Sequence, residues 1–193
     1  GSGVKAAAVY RMSDQGNLIN TNNSLDLAIQ GRGFFQIQMP DGTTAYTRAG
    51  SLQLSPTGEI VTADGYVVEP GITLPSNTTA VTVNANGQVL AQVAGQQQPQ
   101  TVGQLQLATF PNEGGLEQLG NNLLSETPAS GSPVVGNPGQ TAFGTIQQGF
   151  LETSNVNIVS EITNLITAQR AYEMNSKVIQ TSNDMESTLN QIH

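Results

Sequence analysis

The sequence of residues 31–43, GRGFFQIQMPDGT, decides the fold. Its apolar residues Phe35, Ile37 and Met39 alternate with glutamines, which places them on one face of a β-strand. The segment Pro40-Asp41-Gly42-Thr43 has the residue chemistry of a hairpin turn, because glycine accepts a positive φ and proline presets its own φ. We therefore predict a strand that ends in a tight turn and is followed by a partner strand.

Similar units recur through the first 149 residues. Turn dipeptides occur at Asp64-Gly65, Pro70-Gly71 and Asn86-Gly87, and short runs rich in valine, isoleucine and threonine lie between them. This spacing favours an irregular β-sandwich or barrel. Residues 113–149 are rich in glycine and proline and are expected to form connections. We predict that residues 1–149 form one all-β domain.

The last 44 residues have a different character, because all 21 glycines and all 9 prolines lie in residues 1–149. Apolar residues from Ile158 onward recur at spacings of three, four and seven, which predicts a C-terminal helical domain at residues 150–193. At 1.5 Å per residue, the 35 residues from Ile158 to Ile192 would form a helix about 52 Å long, longer than the roughly 40 Å diameter of the β domain. The expected fold class is mainly β with one long C-terminal α-helix: an irregular β-sandwich or barrel plus a coiled-coil-forming terminal helix.

Such a helix needs partners for its apolar stripe, and other copies of the chain are the nearest source. Its side chains are rich in neutral amides and hydroxyls, which suit a face that meets copies of itself. The predicted subunit interface consists of Ile158, Ile162, Leu165, Ile166, Gln169, Tyr172, Val178, Ile179, Met185 and Leu189.

Composition excludes several classes of function. Only 10% of the residues are charged and the net charge is -8, which argues against nucleic-acid binding because that requires a basic surface. The chain has no cysteine, and its one histidine is His193. Neither a thiol nor a histidine triad is available, and no segment is apolar enough for a membrane span. We expect no enzymatic activity, catalytic residue, cofactor or metal.

The remaining candidates for chemistry have simpler explanations. Glu59 and Asp64 could form an acid/base pair for glycoside cleavage, but their positions fit a strand start and a turn. Gly31-Arg32-Gly33 faintly resembles a phosphate-binding loop, yet it lacks a third glycine and a following helix. Asp14, Asp26 and Asp41 lie in no calcium-binding pattern.

Two longer motifs carry a specific resemblance. Residues 148–157, QGFLETSNVN, and 168–177, AQRAYEMNSK, closely resemble the C-terminal signature of bacterial flagellar rod and hook proteins. Residues 26–35, DLAIQGRGFF, and 40–50, PDGTTAYTRAG, fit the β region of that family. The Arg-Ala-Tyr-Glu-x-Asn-Ser-Lys form at residues 170–177 is most similar to distal rod members. The signature residues are Gly31, Gly33, Phe34, Phe35, Asn155, Val156, Arg170, Ala171, Tyr172, Glu173, Asn175, Ser176 and Lys177.

The resemblance implies a structural subunit of the distal rod, in a helical tubular polymer that transmits motor torque to the hook. Implied partners are further copies, proximal rod subunits, hook protein, the P- and L-ring proteins, the rod cap and the type III export apparatus. The implied location is the basal body, where the rod crosses the periplasm and the outer-membrane ring. Family members begin with a helix carrying an Asn-Asn-Leu-Ala-Asn signature, which this sequence lacks, so we expect it to start after that helix.

Two alternatives stay open at this point. A proximal rod or hook-type axial subunit would share both motifs. A carbohydrate-binding or carbohydrate-cleaving β-domain of a phage-tail-like protein would need an aromatic platform, and the chain has no Trp, 4 Tyr and 5 Phe.

Overall fold

The computed structural model describes residues 14–154. These residues form sixteen short β-strands and one 3-10 turn at Glu113–Gly115. In chain order the strands are β1 Leu18–Asn20, β2 Leu27–Gln30, β3 Phe34–Gln38, β4 Thr44–Thr47, β5 Leu52–Leu54, β6 Ile60–Thr62, β7 Val67–Val68, β8 Thr78–Val83, β9 Gln88–Val93, β10 Gln100–Gln104, β11 Leu107–Thr109, β12 Glu117–Gly120, β13 Leu123–Ser125, β14 Val134–Gly136, β15 Thr145–Gln148 and β16 Phe150–Glu152.

The largest sheet is organised around β3. Its strand order is β12-β13-β4-β3-β7-β6-β5, and β11 pairs with the start of β3 and carries β14 on its other side. The predicted hairpin is confirmed: β3 and β4 are antiparallel, with Ile37 opposite Ala45. In the turn, Gly42 has a φ of +86°, and the Asp41 carboxylate accepts the Thr43 amide at 2.9 Å.

Strand β3 is buried on both faces. Phe35 and Ile37, both fully buried, lie in the main core, as their alternation predicts. Phe34 lies on the other face with Tyr46 and Phe110 in a second apolar cluster. The rings of Tyr46 and Phe110 meet edge to face with centroids 4.8 Å apart. The sequence pattern predicts only one buried face for this strand, and the structure adds the second.

Two smaller sheets complete the main core. The three-stranded sheet β10-β9-β8 contributes Val89 and Ala91, and the pair β15-β2 contributes Ile29 and Ile146. The side chain of Gln148 joins these sheets. Its amide oxygen accepts the Val83 amide at 3.1 Å, and its amide nitrogen donates to the Val81 carbonyl at 2.9 Å. Gln148 therefore takes the place of a neighbouring strand along this part of β8.

The structure corrects the prediction of a C-terminal helix at its first residues. Phe150–Glu152 form strand β16, which pairs with β1, and residues 14–154 contain no α-helix. The expected fold class, mainly β with one long C-terminal α-helix, is therefore wrong, and the described fold is mainly β. The absence of glycine and proline is compatible with a strand as well as with a helix. Here Phe150–Glu152 form a strand because they pair with β1, which is far away in the sequence. Residues 155–193, for which the sequence predicts the rest of that helix, lie outside the described residues.

The described residues all fall within one compact unit, Gly1–Asn155. Within the described part of the chain, no helix is long and apolar enough to cross a membrane. Residues 113–149 hold strands β12 to β15 among their turns.

Candidate functional site

The two ends of the described chain come together in one place, which we call the terminal junction. It comprises Gln15–Asn20, Ile29–Gly33, Arg48 and Phe150–Thr153. Strands β1 and β16 form a two-stranded ribbon there, with Leu18 opposite Glu152. The Thr153 amide continues the ribbon by donating to the Asn17 carbonyl at 2.8 Å. The described part of the chain therefore begins and ends in adjacent, antiparallel strands.

Arg48 is the centre of the terminal junction. Its Nε donates to Glu152 Oε2 at 2.8 Å. Its Nη1 donates to the carbonyl oxygens of Gly31 at 2.9 Å and Gly33 at 2.8 Å, and its Nη2 donates to that of Ile29 at 2.9 Å. The Arg48 side chain is 26% exposed and that of Glu152 is 10% exposed. A planar guanidinium with several fixed donors can satisfy such a set, whereas an ammonium cannot.

Glu152 and Gln15 extend this network to the incoming chain. Glu152 Oε1 accepts the Gly16 amide at 2.8 Å. Gln15 Nε2 donates to the Ile29 carbonyl at 3.1 Å, and Gln15 Oε1 accepts the Gly31 amide at 2.9 Å. The network thus ties the incoming strand, the β2–β3 connection and the outgoing strand to one another. It lies at the open end of the β1–β16 ribbon, where the two strands would begin to separate.

The signature glycines shape the β2–β3 connection. Gly31 and Gly33 have φ values of +111° and +130°, which residues other than glycine rarely adopt. A Cβ on Gly31 would lie 2.9 Å from the Gly144 Cα, and one on Gly33 would lie 3.1 Å from the Leu107 Cβ. The two glycines therefore let the backbone turn tightly and present its carbonyl oxygens to Arg48.

Arg32, which stands between those glycines, does not belong to the network. Its side chain is 61% exposed, and its Nε lies 3.6 Å from Glu113 Oε1, beyond a good hydrogen bond. Arg48 binds the backbone carbonyls of the β2–β3 connection, a function that the sequence pattern did not assign to any residue. The scarcity of cations draws attention to it but does not single it out, since Arg32 and Arg48 are both, and alone, the lysine or arginine residues within the described range.

The remaining signature and interface residues lie outside the described residues. These are the signature positions from Asn155 to Lys177 and the ten predicted interface positions from Ile158 to Leu189. Gly31, Gly33, Phe34 and Phe35 are described, and they act in backbone geometry and packing. Among residues 14–154, no three acidic or histidine side chains lie close enough to hold a metal ion.

Comparisons with known proteins identify the family of this chain. Residues 28–91 match the family "Flagellar hook protein FlgE/F/G D1 domain", and residues 147–192 match "Flagellar basal body rod FlgEFG protein C-terminal". The flagellar basal-body rod protein FlgG of Caulobacter vibrioides is 55% identical over 192 residues, which cover 100% of this chain and 73% of that protein. The chain belongs to the flagellar basal-body rod protein family. FlgG of Agrobacterium fabrum is 51% identical, over 97% of this chain and 71% of that protein. FlgG of Borreliella burgdorferi is 43% identical, over 96% of this chain and 71% of that protein.

Membership of the rod protein family confirms the function that the motifs predict. The chain is a structural subunit of the flagellar rod, located in the basal body, and it is not an enzyme. It assembles into the rod with other flagellar components. The carbohydrate-binding alternative is not favoured by any of these matches.

Proposed function

We propose that this protein is a distal rod subunit whose copies form a helical tubular shaft that carries torque to the hook. In this role it contacts proximal rod subunits, hook protein, the P- and L-ring proteins and the rod cap, after passage through the type III export apparatus. The observation that carries the proposal is the similarity to FlgG proteins over nearly the whole chain. The terminal junction adds a mechanical reason, because it holds both ends of the described chain to the β body with charged hydrogen bonds.

A rod subunit must pass mechanical load between its terminal segments and its β body. That load enters through the β1–β16 ribbon, which has only three paired positions on each strand. Pulling the two ends apart would peel such a ribbon from its open end, one residue pair at a time. Arg48 and Glu152 lie at that end and connect it to the β2–β3 connection. The geometry therefore resists peeling at the point where peeling would begin.

The apolar residues between Ile158 and Leu189 supply contacts between copies in this proposal. The support is their sequence pattern, which leaves an apolar stripe that a single chain has little means to cover. A Leu165→Asp change should leave the melting temperature of the isolated protein nearly unchanged and stop rod growth. Strong destabilisation of the isolated protein by Leu165→Asp, or normal rods in cells that carry it, would contradict this assignment.

The direct test of the rod role uses cells that make this protein. Deleting its gene should leave basal bodies without a distal rod and cells without motility, and a plasmid copy should restore both. Electron microscopy of purified basal bodies, with an antibody raised against residues 14–154, locates the subunit. Labelling of another basal-body part, or complete rods in the deletion strain, would overturn the proposal.

A further inference from the structure

The three-stranded sheet β10-β9-β8 lacks the charges that usually protect a sheet edge. Residues 70–112, which include all three strands and their turns, contain no Asp, Glu, Lys or Arg. Strand β8 has the sequence Thr-Thr-Ala-Val-Thr-Val, which is rich in β-formers and has no proline. Segments of this composition pair readily with strands of other chains when their backbone groups are open. The outer edge of β8 therefore needs another form of protection.

Two features interrupt that edge. In β8, the outer strand of its sheet, the register with β9 shifts between Thr78 and Ala80, and this bulge disturbs the first half of the strand. The second half is bound by Gln148, whose amide oxygen accepts the Val83 amide and whose amide nitrogen donates to the Val81 carbonyl. These two backbone groups are two residues apart, the spacing at which a paired strand makes its hydrogen bonds. One side-chain amide thus fills both positions.

The main chain of β15 accompanies this edge only as far as Gln148. The Ile146 amide donates to the Ala85 carbonyl at 3.0 Å, just past the end of β8. The Gly149 amide instead donates to the Asp26 carbonyl at 2.8 Å, so the backbone turns away from β8. From this point on, β8 is covered by a side chain and not by a strand.

Open space adjoins the covered positions. A groove of about 420 Å³ lies along Thr78–Val81, and Ser24 also lines it. The Gln148 amide nitrogen donates to the Ser24 carbonyl at 2.8 Å as well as to the Val81 carbonyl at 2.9 Å, so it bridges two of the lining residues. Without this carboxamide, the outward backbone groups of Val81 and Val83 would be left without partners beside the groove.

We propose that the Gln148 carboxamide prevents β8 from pairing with β8 of a second copy. Every copy presents the same edge, and this edge is self-complementary. In an antiparallel pair, the Val83 amide of each copy would bind the Val81 carbonyl of the other, with Thr82 opposite Thr82 of the second copy. Such a contact is isologous and closes at a dimer. For a protein that assembles into the rod, a closed dimer would withdraw subunits from assembly. The proposal concerns the isolated protein and does not depend on the distal position in the rod.

Sedimentation velocity of the full chain over a range of concentrations tests the proposal. Gln148→Met keeps the length of the side chain and removes the amide. We expect this variant to form dimers at about ten-fold lower concentration than the natural protein, because that factor corresponds to one or two regained hydrogen bonds. The matched control is Gln147→Met on the same strand, where the amide nitrogen donates to Gln30 Oε1 at 3.1 Å. The control should associate no more readily than the natural protein.

A second variant separates edge pairing from loss of stability. Thr82 is exposed on β8, so Thr82→Lys adds a charge there without restoring the lost amide of Gln148→Met. In the paired edges the two lysines would lie directly opposite each other, and like charges in that position destabilise the pair. The double variant Gln148→Met/Thr82→Lys should therefore be monomeric. Its net charge is less negative than that of the natural protein, so general repulsion between copies cannot account for that result.

Three results would overturn the proposal. They are a monomeric Gln148→Met variant, equal association of Gln148→Met and Gln147→Met, and dimers of Gln148→Met that persist with Thr82→Lys. Hydrogen exchange on the natural protein adds a test that needs no variant. The Val83 amide should exchange slowly because Gln148 holds it, and rapid exchange there would show that the edge is open and would also contradict the proposal.

Discussion

Replacement of Arg48 by methionine is the sharpest test of the terminal junction. Methionine keeps much of the aliphatic volume and removes every donor of the guanidinium. The carbonyl oxygens of Gly31 and Gly33 then lose a charged partner, and Glu152 keeps only its bond to the Gly16 amide. The change removes no member of either apolar core cluster.

The magnitude follows from the exposure of the pair. Removing one partner of a fully buried ion pair costs about 3–5 kcal/mol. Arg48 is 26% exposed, so water can reach some of the abandoned groups, and the expected loss falls to about 2–3 kcal/mol of unfolding free energy. For a body of this size, each kcal/mol lowers the melting temperature by about 2–4 °C, giving a fall of roughly 4–12 °C. Arg48→Lys should give a smaller fall, because lysine can reach Glu152 but not all three carbonyls.

Calorimetry and hydrogen exchange on the full chain measure this effect. Faster exchange is expected at the amides of Gly16 and Gly31, with little change at Ile37 in the core. The matched control is Arg32→Met, since the Arg32 side chain is 61% exposed and its Nε lies 3.6 Å from the Glu113 carboxylate. That change removes only two long contacts, to Glu113 and to the Phe110 carbonyl, so it should lower the unfolding free energy by no more than about 1 kcal/mol, less than Arg48→Met does. Equal melting temperatures for Arg48→Met and Arg32→Met would refute the role given to Arg48.

Two further predictions concern the β body. Burial, reinforced by two nearby glutamate carboxylates, raises the pKa of the Tyr46 phenol above its ordinary value, so the folded protein holds this proton more tightly than the unfolded chain does. Its contribution to stability should be complete below about pH 10 and be lost as the pH rises further. Denaturant titrations at alkaline pH should therefore show that the free energy of unfolding falls less steeply with pH in Tyr46→Phe than in the natural protein. Gly33→Ala should lower the melting temperature more than Gly42→Ala, because a Cβ at Gly33 meets Leu107 at 3.1 Å whereas a Cβ at Gly42 meets nothing within 4 Å. Equal effects would show that backbone strain alone decides both changes.

Local sequence predicts the parts of this fold that local chemistry controls. The alternation from Phe35 to Met39 and the turn at residues 40–43 predict a strand and a hairpin, and both are present. The second buried face of β3 was not predictable in this way, because Phe34 is covered by residues around Phe110 that fold back from far along the chain. The strand at Phe150–Glu152 was missed for the same reason, since its partner is β1 at the other end of the body.

The terminal junction shows the same limit for the candidate site. The long motifs identify the family, and the glycines at 31 and 33 are recognisable as special backbone positions. The link between Arg48 and Glu152 spans 104 residues of sequence, and no periodicity or spacing rule connects them. Only the fold brings the two side chains together. Arg32, which lies inside the glycine motif and attracts attention from sequence, makes only long contacts, to Glu113 and to the Phe110 carbonyl.

The central claim is that Arg48 fixes the two ends of the described chain, at β1 and β16, to the rest of the β body of a rod subunit, and basal bodies purified from cells test it most directly. The chromosomal gene is replaced by versions encoding Arg48→Met or Arg32→Met, and the rods are imaged by electron microscopy at matched expression. We expect Arg48→Met to give absent or truncated rods and non-motile cells, with Arg32→Met rods of normal length. Full-length rods and normal swimming with Arg48→Met would contradict the account.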